Sequence, residues 1–439
     1  MLWLSLGILY FILGLDDLWV VIVAYRNQLK PTALNPQEKR RIANLKQRKI
    51  AIVIPAWRES NIISQMLRGN LNKIVYDNYH IFVGCYPNDL PTYRAASKVA
   101  RDTGRVTPIL NVVPGPTSKG QLLNAILREL SEGHYPQFDL FLFHDAEDII
   151  HPLSLQLINS EAARSDFIQI PVFSLPIKRS FSVGATYMDE FAEVHTRDLL
   201  VRIHLGVSIP SAGVGFALTR KALYALIENP SDELFDSSCL TEDYVLGIRA
   251  HQAGLKQSFP CVFEPVEGNH RNWIATFEYF PKRFTRSIKQ KARWTEGISL
   301  QSAKKLGWFG NGLNWLFLFR DRKALLSNCL GLFGLMFLPL MAFFPVDEPW
   351  FLPVGVLNSF LLINRLWQRT VAFKRVYQNA GVFEVILRYP LGVLINGLAG
   401  FLALKSYSAS RVFKEPTAWV KTEHELPEGF GQTAAQGVG

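Results

Sequence analysis

The chain has 439 residues, 49% of them hydrophobic, and a formal net charge of +10. It is too long for one small domain and too apolar for a fully soluble protein of this charge, so a soluble domain joined to membrane segments is expected. The four cysteines, Cys85, Cys239, Cys261 and Cys329, are widely spaced with no CxxC pair; this gives neither a zinc-site nor a disulfide-framework pattern and fits a reducing, cytoplasm-facing globular part. Nucleic acid, an anionic membrane surface and a phosphate-bearing substrate are the partners that a basic excess leaves open.

Leu2 to Tyr25 is apolar and long enough to span a bilayer, interrupted only by Asp16 and Asp17. With no basic leader and no cleavage site, it reads as an uncleaved anchor. Adjacent acids inside a span are costly, and helix–helix contacts are expected to hold them. The Lys- and Arg-rich stretch that follows places this side in the cytoplasm.

From Ile50 the pattern changes. Ile50–Ile54, His80–Cys85, Val106–Val112 and Phe138–Phe143 read as strands. Glu59–Leu71, Thr92–Thr103 and Gly120–Leu130 read as the helices between them. Strand–helix alternation at this spacing predicts an α/β, doubly wound and mostly parallel sheet. In such a sheet ligands bind beyond the carboxyl ends of the strands. Acids follow three of those ends, at Glu59, Asp89 and Asp145. Asp145 and Glu147, one residue apart, are placed to share a divalent cation, a hard ion that takes carboxylate and phosphate oxygens; a solvated acidic turn is the plainer reading. Gly115–Gly120 lacks the order of a P-loop, and Gly213-Val-Gly215 lacks the third glycine of a dinucleotide fingerprint.

Three later motifs stand out. Ser211-Ala-Gly213-Val-Gly215-Phe216 is small enough to let backbone approach a ligand, or is an ordinary turn. Thr241-Glu242-Asp243 opens a helix, where a cap and two acids suit the first turn whatever their chemistry. Gln290-Lys-Ala-Arg293-Trp294 lies in a basic, aromatic stretch; it suits either sugar and diphosphate contact or a helix lying on anionic lipid. Beyond it, Leu325–Phe344 reads as a span and Trp350–Ile363 as a shorter one. Asn364–Asn379 reads as an interfacial or cytoplasmic helix, and Val382–Leu404 as a span broken by Arg388 and Pro390. Three full crossings would put the tail outside, whereas basic Lys405–Lys421 belongs inside, so one segment is expected to be re-entrant, interfacial or split. The domain plan is a transmembrane helix at 1–26, a basic cytoplasmic linker at 27–49, an α/β domain at 50–275 and a basic amphipathic region at 276–324. About three transmembrane or interfacial helices follow at 325–404, then a cytoplasmic tail with a disordered end at 405–439. The basic residues cluster near membrane segments rather than on a recognition module, so no nucleic-acid partner is expected.

Taken in order, these pieces resemble the membrane-bound family 2 glycosyltransferases, the group that includes cellulose and hyaluronan synthases. Ile54-Pro55-Ala-Trp57-Arg-Glu59, Pro87-Asn88-Asp89, Lys119 with Asn124, Asp145-Ala-Glu147, Thr241-Glu242-Asp243 and Gln290-x-x-Arg293-Trp294 carry the resemblance. Glu147 stands where the family carries a second Asp. His144 to Asp148 with His151-Pro152, the Asp16-Asp17 pair and Trp419 to His424 resemble more narrowly the bacterial NfrB-type phage-adsorption glycosyltransferases. The resemblance implies a GT-A fold flanked by transmembrane helices, in a multi-pass protein of the bacterial inner membrane with its catalytic domain in the cytoplasm. It implies inverting transfer from a UDP-sugar to a glycan or lipid-linked acceptor. Mg²⁺ or Mn²⁺ would sit on Asp145 and Glu147, and Asp243 and Glu242 would be the catalytic residues, with Asp243 as the general base. Trp57, Glu59, Asp89, Lys119, Gln290 and Arg293 would bind the nucleotide, and Thr241, Trp294, Gly213 and Gly215 the acceptor. Trp419–His424 would act as a gating loop. Membrane lipids and an export partner or second copy are the further partners implied. A non-catalytic scaffold or phage-receptor component that keeps the fold is the alternative.

Overall fold

A computed structural model describes residues 2–131, 137–177, 182–227, 233–267, 270–341, 349–378 and 381–413. The described chain forms two compact units. One takes in α1 (Leu2–Arg26), Pro176–Val207 and the described chain from Phe280 to Phe413; the other is Pro31–Leu175 with Ser208–Tyr279.

The second unit is built on β1 (Ile50–Pro55), buried along almost its whole length. Alternate side chains of a strand point to opposite faces, and both faces here are covered. Ile50, Ile52 and Ile54 pack with Ile63, Met66 and Leu67 of α2 (Ile63–Leu71) and with Ala96 and Val99 of α3 (Leu90–Thr103). Ala51 and Val53 pack with Leu122, Leu123, Ile126 and Leu127 of α4 (Lys119–Ser131). Two-sided burial explains why the strand is an unbroken apolar run. Each fully buried Ile or Val contributes about 1.5–3 kcal/mol, which anchors β1 at the middle of the sheet.

Beside it, β2 (Tyr79–Cys85) and then β3 (Val106–Leu110) run parallel on one side, and β4 (Leu140–Phe143) runs parallel on the other, with Leu140 opposite Ile50. Three further strands complete the sheet: β5 (Phe167–Gln169), β6 (Phe216–Thr219) and β7 (Gln257–Ser258), in the order β7-β5-β6-β4-β1-β2-β3. The sheet is mixed, because β6 runs against both its neighbours, with Phe216 opposite Phe143. The cause is the glycine turn before β6. The Gly215 N–H donates to the Phe143 carbonyl at 2.9 Å, so the chain enters the sheet at the end where β4 leaves it. A small second sheet sets Thr276–Glu278 between Val172–Ser174, in parallel, and Ile149–Ile150, antiparallel. The helix α6 (Glu242–Gln252) follows the Thr241 position.

The other unit is helical: α1, α5 (Val183–Glu193), α7 (Phe284–Thr295), α8 (Gly312–Met341), α9 (Phe351–Val376) and α10 (Val382–Phe413). Here α10 packs along α7 and α8, and α9 along α1 and α5. Charge pairs tie these helices together. Arg320 of α8 meets Asp16 at 2.8 Å and Asp17 at 2.9 Å, and Arg365 of α9 meets Asp17 and Glu193 at 3.3 Å each. Arg369 reaches Glu193 at 3.1 Å. The two acids of the first helix are thus held in helix–helix contacts, as expected. The side chain of Arg388 is 1% exposed and donates to Asp189 at 2.6 Å.

Two sequence expectations are corrected in this unit. Trp350–Ile363 and Asn364–Asn379 are not separate segments: α9 runs across their boundary, because Arg365 and Arg369, which gave the second half its polar look, pair with acids of α1 and α5. Nor is α10 broken at Arg388 and Pro390. It runs through both, with the arginine's charge met by Asp189. Among the described residues two helices are long and apolar enough to cross a membrane, Leu4–Arg26 and Phe383–Val412. Trp419–His424 lies outside the described residues.

Candidate active site

Beyond the end of β4 the chain turns sharply through His144, Asp145, Ala146, Glu147 and Asp148. Asp148 shapes this turn: its Oδ2 accepts from the Asp145 N–H at 2.9 Å and contacts His144 Nδ1 at 2.8 Å. Burial raises its carboxyl pKa against the pull of that histidine. The turn presents Asp145, partly exposed, while Glu147 is buried.

The nearest charge to Asp145 is Lys119, the first residue of α4. Its Nζ lies 2.6 Å from Asp145 Oδ1 and donates to the Gly213 carbonyl at 3.1 Å. Burial alone would lower this lysine's pKa. The carboxylates of Asp145, Glu242 and Asp243 outweigh burial and hold it above the ordinary lysine value. Those three acids come from two motifs far apart in sequence, so Lys119 is the point on which they converge.

The glycine turn closes the third side. Gly213 and Gly215 have φ of 83° and 63°, the left-handed region that favours glycine. A Cβ on Gly213 would stand 2.4 Å from Asp243 Oδ2 and 3.7 Å from Lys119 Nζ. Only a residue without a side chain lets the ammonium and the carboxylate flank the same backbone. Asp243 is the second residue of α6, and its Oδ1 accepts from the Tyr244 N–H at 2.8 Å. Glu242 is buried against Gly120. Thr241 occupies the N-cap position and is buried, but its hydroxyl makes no capping bond, which corrects the local capping reading of this motif. Asn124 donates to the Phe235 carbonyl at 2.7 Å and accepts from its N–H at 3.0 Å, and so fixes the chain that leads into α6.

At the ends of β1 and β2 three more of the expected nucleotide residues gather, Trp57, Glu59 and Asp89. Asp89 Oδ2 accepts from the Arg58 N–H at 2.6 Å, and Arg58 itself has a φ of 55°. Glu59, buried, donates through its backbone N–H to Thr92 Oγ1 at 2.9 Å. Trp57 is 8% exposed, set edge-on to Tyr86 and covered by Gly115. Its ring is therefore covered rather than an open stacking face. Asn88 holds Gly115 through two hydrogen bonds, of 2.6 and 2.8 Å, and Tyr86 bonds Thr117 at 2.6 Å. These contacts tie the segment before Lys119 to the end of β2.

Gln290, Arg293 and Trp294 belong to α7 of the helical unit. There Gln290 Oε1 accepts from the Tyr187 hydroxyl at 2.9 Å. Tyr187 stacks on Phe280 at 4.7 Å, and Trp294 stands edge-on to both rings.

Two residues of the α/β unit were missed by sequence reasoning. Gln169, fully buried, accepts from the Ala212 N–H at 2.9 Å and donates to the Val214 carbonyl at 2.9 Å, pinning both arms of the glycine turn. Its signal was one amide in an otherwise apolar strand, and buried polar groups of that kind have partners. Glu278 sits on the strand whose Phe277 pairs with Ile149, and so beside Asp148. Burial, together with the charges of Asp148, Glu147 and Asp145, raises its pKa well above the usual carboxyl range. No local pattern marks it; only the strand pairing brings it there.

Among the described residues no group of three His, Cys, Asp or Glu side chains forms a ready metal cage. A Mg²⁺-like ion does not need one, since it is commonly held by one or two carboxylates and the phosphates of a substrate. Asp145 and Glu147 fit that requirement in donor type.

The fold is the GT-A fold of glycosyltransferases, here a mixed sheet with carboxylates at its strand ends, a partly buried lysine and a glycine turn facing a helix-borne aspartate. Residues 47–297 match the family described as glycosyltransferase like family 2, and the chain belongs to that family. It is 33% identical, over 98% of its own length, to bacteriophage adsorption protein B of Escherichia coli K12, and equally to bacteriophage N4 adsorption protein B of Escherichia coli O157:H7. The chain spans 62% of the length of these relatives. A similar solved structure is the mannosyltransferase PcManGT from Pyrobaculum calidifontis, in complex with GDP-Man and Mn²⁺. It shares the fold at a TM-score of 0.57 and 13% identity, over 92% of this chain and 99% of that one.

Proposed function

We propose that this chain is an inverting glycosyltransferase of the bacterial inner membrane. It transfers a hexosyl or N-acetylhexosaminyl group from a UDP-sugar to a glycan or lipid-linked acceptor, for surface or exopolysaccharide synthesis and export. The observation that supports this best is the convergence of Asp145, Glu242, Asp243 and Gly213 on Lys119. Asp145 and Glu147 would hold Mg²⁺ or Mn²⁺, whose charge offsets the diphosphate of the leaving group. Trp57, Glu59 and Asp89 bind uracil and ribose, and Lys119 binds the diphosphate. Asp243 takes the proton from the acceptor hydroxyl as that oxygen attacks the anomeric carbon and the bond to UDP breaks on the opposite face. Glu242, buried behind it, keeps the helix start in place, and Thr241, Gly213 and Gly215 line the acceptor side. The roles of Gln290 and Arg293 at the diphosphate and of Trp294 under the acceptor sugar rest on their motif alone. The α/β domain faces the cytoplasm, and an export partner or second copy completes the path of the product.

The test is UDP release by the detergent-purified protein with a panel of UDP-sugars and Mg²⁺ or Mn²⁺. Asp243→Asn is expected to keep UDP binding and lose turnover by about 10²-fold or more. The relatives' names concern phage adsorption, which favours a second reading, a scaffold or receptor component that keeps the fold. Failure to bind UDP, with or without metal, would support it.

A further inference from the structure

We propose that Lys119 is the resident counter-ion of Asp145, competing with the divalent cation for that carboxylate until a nucleoside diphosphate draws the ammonium away. The inference rests on Asp145 as a metal-binding residue. Lys119 is the first residue of α4, where the helix dipole disfavours a cation, so the helix itself gives no reason for a lysine there. The reason lies in its contacts: Asp145 Oδ1 at 2.6 Å and the Gly213 carbonyl at 3.1 Å. These use two of the ammonium's three donors. The Asp145 N–H is held by Asp148, and one of its two carboxylate oxygens is already taken by the ammonium. A cation on Asp145 therefore stands against the positive charge of Lys119, and the two repel. A diphosphate removes the conflict, because its oxygens bond the ammonium strongly and also bind the ion. Metal and nucleotide then strengthen each other's binding, and by linkage the effect is reciprocal. The lysine keeps the metal-site acid paired between catalytic cycles and makes metal loading depend on the donor.

Mn²⁺ binding to the full chain in detergent, read by electron paramagnetic resonance with and without UDP, tests this. In the native protein UDP is expected to raise Mn²⁺ affinity about tenfold or more. In Lys119→Met, Mn²⁺ alone is expected to bind about three- to tenfold more tightly than to the native protein, with the UDP effect reduced; Lys119→Arg, which keeps the charge, is expected to behave like the native protein. Affinity for Mn²⁺ alone that is unchanged or weaker in Lys119→Met overturns the proposal. So does a native protein in which UDP leaves Mn²⁺ affinity unchanged, a result that needs no variant to fold. Asp145→Asn separates the two levels. If it abolishes Mn²⁺ binding while Lys119→Met fails to strengthen it, the counter-ion role falls alone; if it leaves Mn²⁺ binding intact, the metal role of Asp145 falls too.

Discussion

The two units treat buried charge in opposite ways. In the helical unit acids meet bases: Asp16 and Asp17 face Arg320 and Arg365, Glu193 faces Arg365 and Arg369, and Asp189 faces Arg388. In the α/β unit Asp145, Glu242 and Asp243 act together on the ammonium of Lys119, while burial, with Asp148, Glu147 and Asp145, raises the pKa of Glu278. Balanced charge of the first kind is structural, since each group's desolvation is offset by a partner and removing one partner is costly. Unbalanced charge of the second kind suits something from outside, which under the proposed function is a cation and the phosphates it accompanies.

Four substitutions sharpen that contrast. The largest effect is expected in the helical unit. Asp189→Ala strands the buried Arg388 and should lower stability by about 3–5 kcal/mol, read as a fall in the thermal unfolding midpoint in detergent. A paired Asp189→Ala and Arg388→Met variant should recover much of that loss, which a catalytic role for the pair would not allow. Next is Gly213→Ala. A left-handed backbone costs a residue with a Cβ about 1–2 kcal/mol, and the added methyl is directed at Asp243; turnover should fall by more than stability does, measured by UDP release beside thermal unfolding. Gln169→Ala leaves backbone groups of the glycine turn unpaired and should cost about 1–3 kcal/mol, checked by denaturant unfolding.

The smallest effect is a pH dependence. Folded Glu278 holds its proton above the pH at which the unfolded chain releases it. The unfolded state therefore binds fewer protons in that window, and stability falls as pH rises through it. Glu278→Gln, in a chelator, should match the native protein at low pH and exceed it in stability above the window. Added Mn²⁺ should narrow the difference.

Much of the α/β unit could be read before its structure was seen, for a physical reason. The first four strands and the helices between them are continuous in sequence, and β1, β2 and β4 are almost wholly buried, so apolar runs and helical spacing report them directly. Asp145, Glu147, Asp243 and Gly213 were visible because they follow a strand or open a helix. What stayed hidden depends on pairing between distant segments. The reversal of β6 follows from where its glycine turn joins Phe143. Glu278 reaches the acids only through strand pairing, and Gln169 declares its role only once both arms of the turn lie beside it. The halves of α9 looked separate because Arg365 and Arg369 read as polar until their acids, on other helices, were in place. Lys119 was seen as a nucleotide residue, but its hold on Asp145 was not.

The central claim is that the unbalanced acids perform sugar transfer, and UDP release tests it most directly. The native protein and Asp243→Asn would be assayed side by side across UDP-sugars with Mn²⁺. Release with one donor, reduced about 10²-fold or more in the variant while UDP still binds, is the expected result. Equal release by both proteins would contradict the role of Asp243 and, with it, the mechanism drawn from this site.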